Sequence, residues 1–442
     1  MHSVTQNFPS SQAIRVTALW LCATRRQLQK KTIAKVETAL NNQGHKVVLL
    51  ATLDSKGEEA AHLKSLLVKR SGRCVCVVDV GTSGMPAFPA DVSRDCVSRS
   101  GGGISNANGP ADALDVMATG AAKIVRAMFD KGEISAIAGI GGGKGAGVFH
   151  RATKDLPYGF PKLLVTSGRP ALLAEIATTT DTILLPTLVD LFGMNRFTRA
   201  ALGNAADMLA GLAWKGVEES TGKTVAITAF GVTTPAAQTI KSSLEAAGIT
   251  VIAFPANGAG GRTMESLIAK GAFDGVIDLT TTEMADLHLG GTASAGEGRL
   301  TAASRVGIPQ VIAPGATDMV NFGPPDTVPA EFSDRVKYQH TPMTTLVRTR
   351  PEDTAEIARQ TADRLNKATG PVAVFWPGGG VSDYDRPGQA FHDPSANAAW
   401  RDGMQEALVP TIPVTETEHH INDPEFAALC SDWMIAQMEA QP

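Results

Sequence analysis

Cysteine is scarce in this chain: there are five in 442 residues. Five make no disulfide framework. Cys74 and Cys76, two apart on an expected strand, share a face but lie too far apart along the chain for a relaxed bridge. No turn separates them to make a metal pair. The expected compartment is reducing and cytoplasmic. Long apolar runs are missing as well, and the longest fall far short of a membrane span. Neither sign of charge is in large excess. A net charge of −4 supplies no field for nucleic acid or an anionic membrane. Catalytic signatures are absent too. There is no H-E-x-x-H, no G-x-S-x-G elbow and no convincing catalytic cysteine. No short tandem repeat occurs, which sets a solenoid aside.

What remains is globular, at 43% hydrophobic and 19% charged, and too long for one ordinary core. Residues 1–45 stand apart, with Arg15, Arg25, Arg26, Lys30, Lys31 and Lys35 against the single acid Glu37. They read as an extension: an exposed helix, a start placed too early, or a basic targeting segment. From residue 46 short apolar runs alternate with helical patterns. Strands are expected at Val47–Leu53, Val75–Val80, Ile134–Ile140, Lys162–Thr166 and Thr182–Val189. They are continuously apolar, as in a parallel sheet covered on both faces. After a polar boundary near Glu218 the pattern restarts. The fold expected is α/β, with two Rossmann-like domains over 46–218 and 219–442. Each has a mostly parallel sheet with helices on both faces. The stretch Gly315 to Thr345 shows little periodicity and reads as a functional loop.

The strongest motif is Gly141-Gly142-Gly143-Lys144-Gly145-Ala146, where an apolar strand empties toward a helix expected at Val148–Lys154. Glycines there let bare amides approach an anion, and Lys144 adds positive charge. Walker A fails twice: Ala138 stands at its first glycine, and Gly145 where a hydroxyl should hold magnesium. The G-x-G-x-x-[GA] pattern fits, but no acid ends the following strand to hold a ribose. An NAD-dependent dehydrogenase is therefore disfavoured. A tight structural turn is the plain alternative. Asp54, Ser55, Lys56, Gly81 and Thr82 also fall at strand C-terminal ends, the rim where doubly wound sheets hold ligands. Lys56 would neutralise phosphate; Asp54 would hold magnesium, directly or through water. Asp54 or Ser55 could equally cap the following helix.

The second half has a rim of its own. Thr233 and Thr234 follow one strand. Gly258, Gly260, Gly261 and Arg262 follow the next, with the arginine able to grip a carboxylate or phosphate. Ser382 lies past a later glycine run. Together they suggest a polar small-molecule pocket, although caps and turns explain each one singly. For acid–base work His340, in the aperiodic stretch, is the leading candidate, with Asp318 and Glu283 behind it.

In order along the chain, Thr52-Leu-Asp-Ser-Lys56, Val78-Asp-Val80, the Gly139–Gly145 run, Gly193-Met-Asn195, Phe230-Gly-Val-Thr-Thr-Pro235, Gly260-Gly-Arg-Thr-Met-Glu265 and Ile421-Asn-Asp-Pro-Glu-Phe426 form a set. From Lys46 to the C-terminus this set resembles the uncharacterised two-domain family with a Tm-one-like ATP-binding domain. Its plant relative is the tomato mosaic virus resistance protein. The resemblance implies two Rossmann-like domains, a homodimer, and ATP with magnesium in the first domain. Carried over by position, Asp54, Ser55, Lys56 and Gly141–Gly145 would meet the nucleotide. Two departures bear on this. The family's glycine run usually reads Gly-Gly-Ser-Gly-Gly-Thr, so Gly143, Lys144 and Ala146 depart from it. The family's Asp-Arg-Gly is Asp112-Ala113-Leu114 in this chain. Lys144 would replace the lost charge, though an Arg-to-Lys relocation is not conservative for phosphate geometry.

The expected function is binding of Mg-ATP or a related anion in small-molecule metabolism, with the reaction unassigned. A non-catalytic nucleotide sensor or scaffold is the alternative from another class.

Overall fold

A computed structural model describes residues 46–216 and 222–440. The extension at 1–45, and every expectation placed on it, lies outside the described residues. The chain divides into two compact units between residues 217 and 218.

The first unit runs β1 (Lys46–Ala51), α1 (Gly57–Ser71), β2 (Val75–Asp79), α2 (Arg94–Gly101), α3 (Pro110–Asp130), β3 (Ile134–Gly141), α4 (Gly143–Thr153), β4 (Lys162–Thr166), α5 (Pro170–Thr179), β5 (Ile183–Pro186) and α6 (Arg196–Gly211). Its sheet has the order β2-β1-β3-β4-β5, and every pairing is parallel. The pleat explains the continuous apolar strands. Val47, Leu49 and Ala51 enter one core with Leu63 and Leu202, whereas Val48 and Leu50 enter the opposite core with Met117 and Phe149.

The second unit runs β6 (Thr224–Ala229), α7 (Thr234–Ala246), β7 (Thr250–Pro255), α8 (Ala259–Ala269), β8 (Gly275–Thr280), α9 (Thr282–Leu289), α10 (Ala302–Val306), β9 (Gln310–Gly315), β10 (Met319–Phe322), β11 (Lys337–Thr341), β12 (Thr344–Arg348), α11 (Pro351–Leu365), β13 (Val372–Pro377), α12 (Pro394–Ala407), β14 (Val414–Thr417) and α13 (Pro424–Ala440). The large sheet reads β14-β13-β9-β8-β6-β7. It is parallel throughout. Both sheets thus reverse direction beside their first strand, between β1 and β3 and between β6 and β8. That reversal opens a crevice at the strand C-termini, where ligands sit in this class of fold. Both units have the expected α/β architecture.

Two local readings are corrected. The stretch Gly315 to Thr345 is not an irregular loop: it contributes β10, β11 and the start of β12 to an antiparallel sheet of order β10-β12-β11. All five residues of β11 are exposed, so it carries no apolar pattern to read. The helix after the glycine run begins at Gly143, inside the run, rather than at Val148. Among the described residues no helix is long and apolar enough to cross a membrane.

Candidate functional site

The first-unit crevice is a cleft of ≈ 440 Å³ at the C-terminal ends of β1, β2 and β3. Three loops line it. From β1 come Thr52, Asp54, Ser55 and Lys56; from β2 come Thr82, Ser83 and Gly84; from β3 come Gly142, Gly143, Lys144 and Gly145. Leu114 of α3 adds the one large apolar side chain. Gly81 and Gly141 lie just behind this lining. The strand ends therefore bring the expected first-domain residues together.

The glycine run is built for close approach. A Cβ on Gly141 would lie 2.7 Å from the Gly145 Cα, and one on Gly139 would lie 2.3 Å from the Phe149 ring. With neither present, α4 starts tight against β3. Its cap residue is Gly142, which has no side chain to cap with. The first amide to find a carbonyl is Ala146, bonded to Gly142 O at 2.9 Å. The amides of Gly143, Lys144 and Gly145 precede it and have no acceptor within the helix. The helix dipole adds partial positive charge at the same end. Lys144 is exposed at the cleft.

On the β1 side no side chain caps α1, contrary to the capping expected of Asp54 or Ser55. Asp54 Oδ2 instead accepts the Ser83 amide at 2.9 Å, which joins the β1 and β2 loops. Ser55 Oγ pairs with Thr52 Oγ1 at 2.9 Å. Lys56 Nζ donates to the Leu191 carbonyl, so part of its charge is already engaged. Sequence reasoning passed over Asp79, which is buried; its Oδ1 accepts the amides of Leu53 at 3.1 Å and Gly81 at 2.9 Å. An acid inside an apolar strand was the available signal. Ser167 was also missed. Its Oγ donates to Asp190 Oδ1 at 2.8 Å, beside the open flank of Gly142. Among the described residues no group of three His, Cys, Asp or Glu side chains meets to hold a metal. Magnesium would therefore arrive on a ligand's phosphates and touch the protein at Asp54.

The second unit is arranged differently. Its glycine turn at α8 is filled from within: Glu283 Oε1 accepts the amides of Gly258 at 2.7 Å and Gly261 at 3.1 Å. Glu283 is fully buried, and its other oxygen takes Arg299 Nε at 2.5 Å. Arg299 also meets Asp278 at 2.6 Å and Glu265 at 3.1 Å. Burial alone would lower the Arg299 pKa, but these three carboxylates together raise it. Burial raises the Glu265 pKa, against the pull of Arg299. Gly260 N bonds Asn257 Oδ1 at 3.0 Å, and Arg262 donates to the Ser294 carbonyl at 2.8 Å. Thr233 is buried against Thr280, oxygen to oxygen at 2.7 Å. Ser382 is buried and donates to Asp318 Oδ2 at 2.7 Å. These polar groups satisfy one another instead of facing a common pocket. Thr234 alone of the set lines a cavity, of ≈ 300 Å³, with Phe230, Phe254 and Asn257 at the ends of β6 and β7.

The acid–base candidates are scattered. His340 is exposed on β11, with Nδ1 2.9 Å from the Tyr384 hydroxyl. Asp318 is fully buried, its pKa pushed up to about 7 by burial and by the nearby Asp385 carboxylate. His420 lies behind Ser382. Its Nε2 is 2.9 Å from the Ser382 carbonyl and its Nδ1 accepts the Asn422 amide. Burial lowers its pKa, so the neutral Nε2–H form fits both bonds.

Comparison with known proteins covers both units. The N-terminal domain of the uncharacterised protein family UPF0261 matches residues 45–219, and the C-terminal domain of the same family matches residues 222–438. A UPF0261 protein of Clostridium tetani is 36% identical over 401 residues, 89% of this chain and 99% of that protein. The UPF0261 protein RA0729 of Rhizobium meliloti is 37% identical, over 86% of this chain and 96% of that protein. The ToMV resistance protein Tm-1(GCR237) of Solanum lycopersicum is 34% identical over 86% of this chain, which spans 54% of that longer protein. The chain belongs to the UPF0261 family, and the tomato Tm-1 proteins are its homologues.

Proposed function

We propose that this protein binds a phosphate-bearing small molecule in the first-unit cleft, with Mg-ATP or a related nucleotide as the leading ligand. One observation carries the reading. Three amides without helical acceptors and Lys144 open on one cleft at the β1/β3 reversal. The volume suits a small ligand. Amides and the helix dipole would hold the phosphate without any hydroxyl from the glycine run. Asp54 would meet magnesium-bound water or a ligand hydroxyl. The second unit supports the contrast, since its own glycine turn already holds a carboxylate.

Calorimetry with Mg-ATP on the wild type and on Lys144→Ala tests this. The expected result is saturable heat that weakens by roughly 10-fold or more without the ammonium, because a charge-assisted hydrogen bond contributes about 1.5–3 kcal/mol. No heat with any nucleotide removes the reading. A parallel hydrolysis assay separates an enzyme from a nucleotide sensor.

A further inference from the structure

The most exposed large apolar side chains among the described residues are Leu188 at 98%, Phe192 at 86% and Met85 at 82%. All three lie on loops leaving the C-terminal ends of first-unit strands, Met85 after β2 and the other two after β5. Backbone contacts bring two of them to the mouth of the cleft. Met85 directly follows Gly84, which lines the cleft. Two residues on, the Ala87 amide donates to the Leu53 carbonyl at 3.0 Å, holding this loop against the β1 end. Phe192 sits between two pinned neighbours. The Leu191 carbonyl accepts Lys56 Nζ, and the Gly193 amide donates to Glu59 Oε1 at 2.9 Å. Both partners belong to the α1 entrance. Leu191 is fully buried, so the chain turns Phe192 outward at a fixed place.

The cleft interior has the opposite character: hydroxyls, glycine amides, two lysines and one carboxylate, with Leu114 as its single large apolar side chain and no aromatic ring. A polar floor under an apolar rim matches a ligand that is itself divided. We infer that Phe192 and Met85 receive a flat ring carried by the same anion whose phosphates meet Gly142–Gly145, so that the ligand is a ring-bearing nucleoside phosphate rather than a bare polyphosphate or an open-chain phosphoester. The inference rests on the proposed anion site. Aromatic side chains stack on ring faces, and methionine sulfur contacts ring edges. The rim is continuous with a cleft of matching charge, which favours this occupant over a second copy of the chain.

The test uses calorimetry with Mg-ATP and with Mg-tripolyphosphate on the full chain and on the variants Phe192→Ala, Phe192→Trp and Met85→Ala. Exposed side chains can be exchanged without endangering the fold. Phe192→Ala should weaken ATP by about 10-fold and leave tripolyphosphate unchanged, since a base on an aromatic ring contributes about 1–3 kcal/mol. Phe192→Trp should keep ATP affinity, and Met85→Ala should lower it less. Unchanged ATP affinity in Phe192→Ala, or equal loss for both probes, overturns the ring contact while leaving the anion site standing. Failure of both probes to bind the wild type overturns the anion site and the ring contact with it. If light scattering shows Phe192→Ala dissociating an assembly while ATP affinity stays unchanged, the rim is a self-association surface and the inference falls.

Discussion

Glu283 Oε1 accepts the Gly258 amide at 2.7 Å, so a carboxylate of the chain itself occupies the glycine turn at the start of α8. Gly261 joins the same oxygen at 3.1 Å, and a Cβ there would fall 2.3 Å from Glu283 Oε2. The glycine thus serves an internal anion. Truncation by Glu283→Ala would leave Arg299 and two amides without this partner in a fully buried site. Removing one partner of such a pair costs about 3–5 kcal/mol. Urea denaturation followed through Trp376, Trp400 and Trp433 fluorescence should show that loss. A variant within about 1 kcal/mol of wild type would mean the turn has another stabiliser.

The first-unit glycines should separate into permissive and restrictive positions. A Cβ added at Gly143 would meet no atom within 4 Å, and the φ of this residue is not positive. Gly143→Ser, which restores the residue the family resemblance implies, should fold as wild type and bind Mg-ATP at least as well. At Gly141 a methyl meets the Gly145 Cα at 2.7 Å, backbone that can yield only by moving α4 away from β3. Gly141→Ala should cost about 1–3 kcal/mol and weaken binding as the amides shift. Denaturation and calorimetry on the two variants check both halves. Equal behaviour would show that the close approach does not matter.

Two buried carboxyls set a pH dependence whose sign is definite. Asp286 and Asp318 are both fully buried, and burial pushes each from 3.8 up to about 7. Amides of Ala293 and Asn321 pull Asp286 down, and Ser382 pulls Asp318 down, but neither offsets burial. The folded state therefore binds more protons than the unfolded state between about pH 4 and 7. Their contribution is fully present below about pH 4 and is lost as pH rises through about 7. His420 works the other way. Burial lowers its pKa below 6.5, so protonation opposes folding as pH falls below that value. Asp286→Asn, which keeps one acceptor, should flatten the decline in urea midpoint between about pH 5 and 7.5. An unaltered slope would assign the decline to other groups.

Much of the fold was legible because parallel strands covered on both faces are apolar throughout. Lys162–Thr166 has the same bounds in pattern and in structure. The hairpin around His340 was not legible, since an exposed edge strand such as Lys337–Thr341 has no face to bury. At the cleft, the meeting of Asp54, Lys56 and Lys144 followed from strand order alone. The closure of the second-unit turn did not. Nothing local to Gly258 shows that Glu283, 25 residues on, will reach back to it. Ser382 and Asp318 likewise meet across 64 residues, and only the sheet order brings such pairs together.

Arg73 is a final case where a buried charge serves the frame of the site. It is 5% exposed, and its Nη2 donates to the carbonyls of Leu209 and Leu212, with Nη1 3.2 Å from Ser135 Oγ. Leu209 and Leu212 lie at the end of α6, where unpaired carbonyls and the negative end of the dipole favour a cation. Burial lowers the Arg73 pKa, yet a guanidinium stays charged at any working pH. Arg73→Met would fill the space and strand those carbonyls, at about 1.5–3 kcal/mol. Arg73→Lys should recover only part, because one ammonium cannot copy the planar fork. Denaturation followed through Trp214, which packs against Phe160 at 5.6 Å, reports the first unit. The order expected is wild type, then Lys, then Met. A methionine variant as stable as wild type would show that water satisfies the end of α6 as well as Arg73 does.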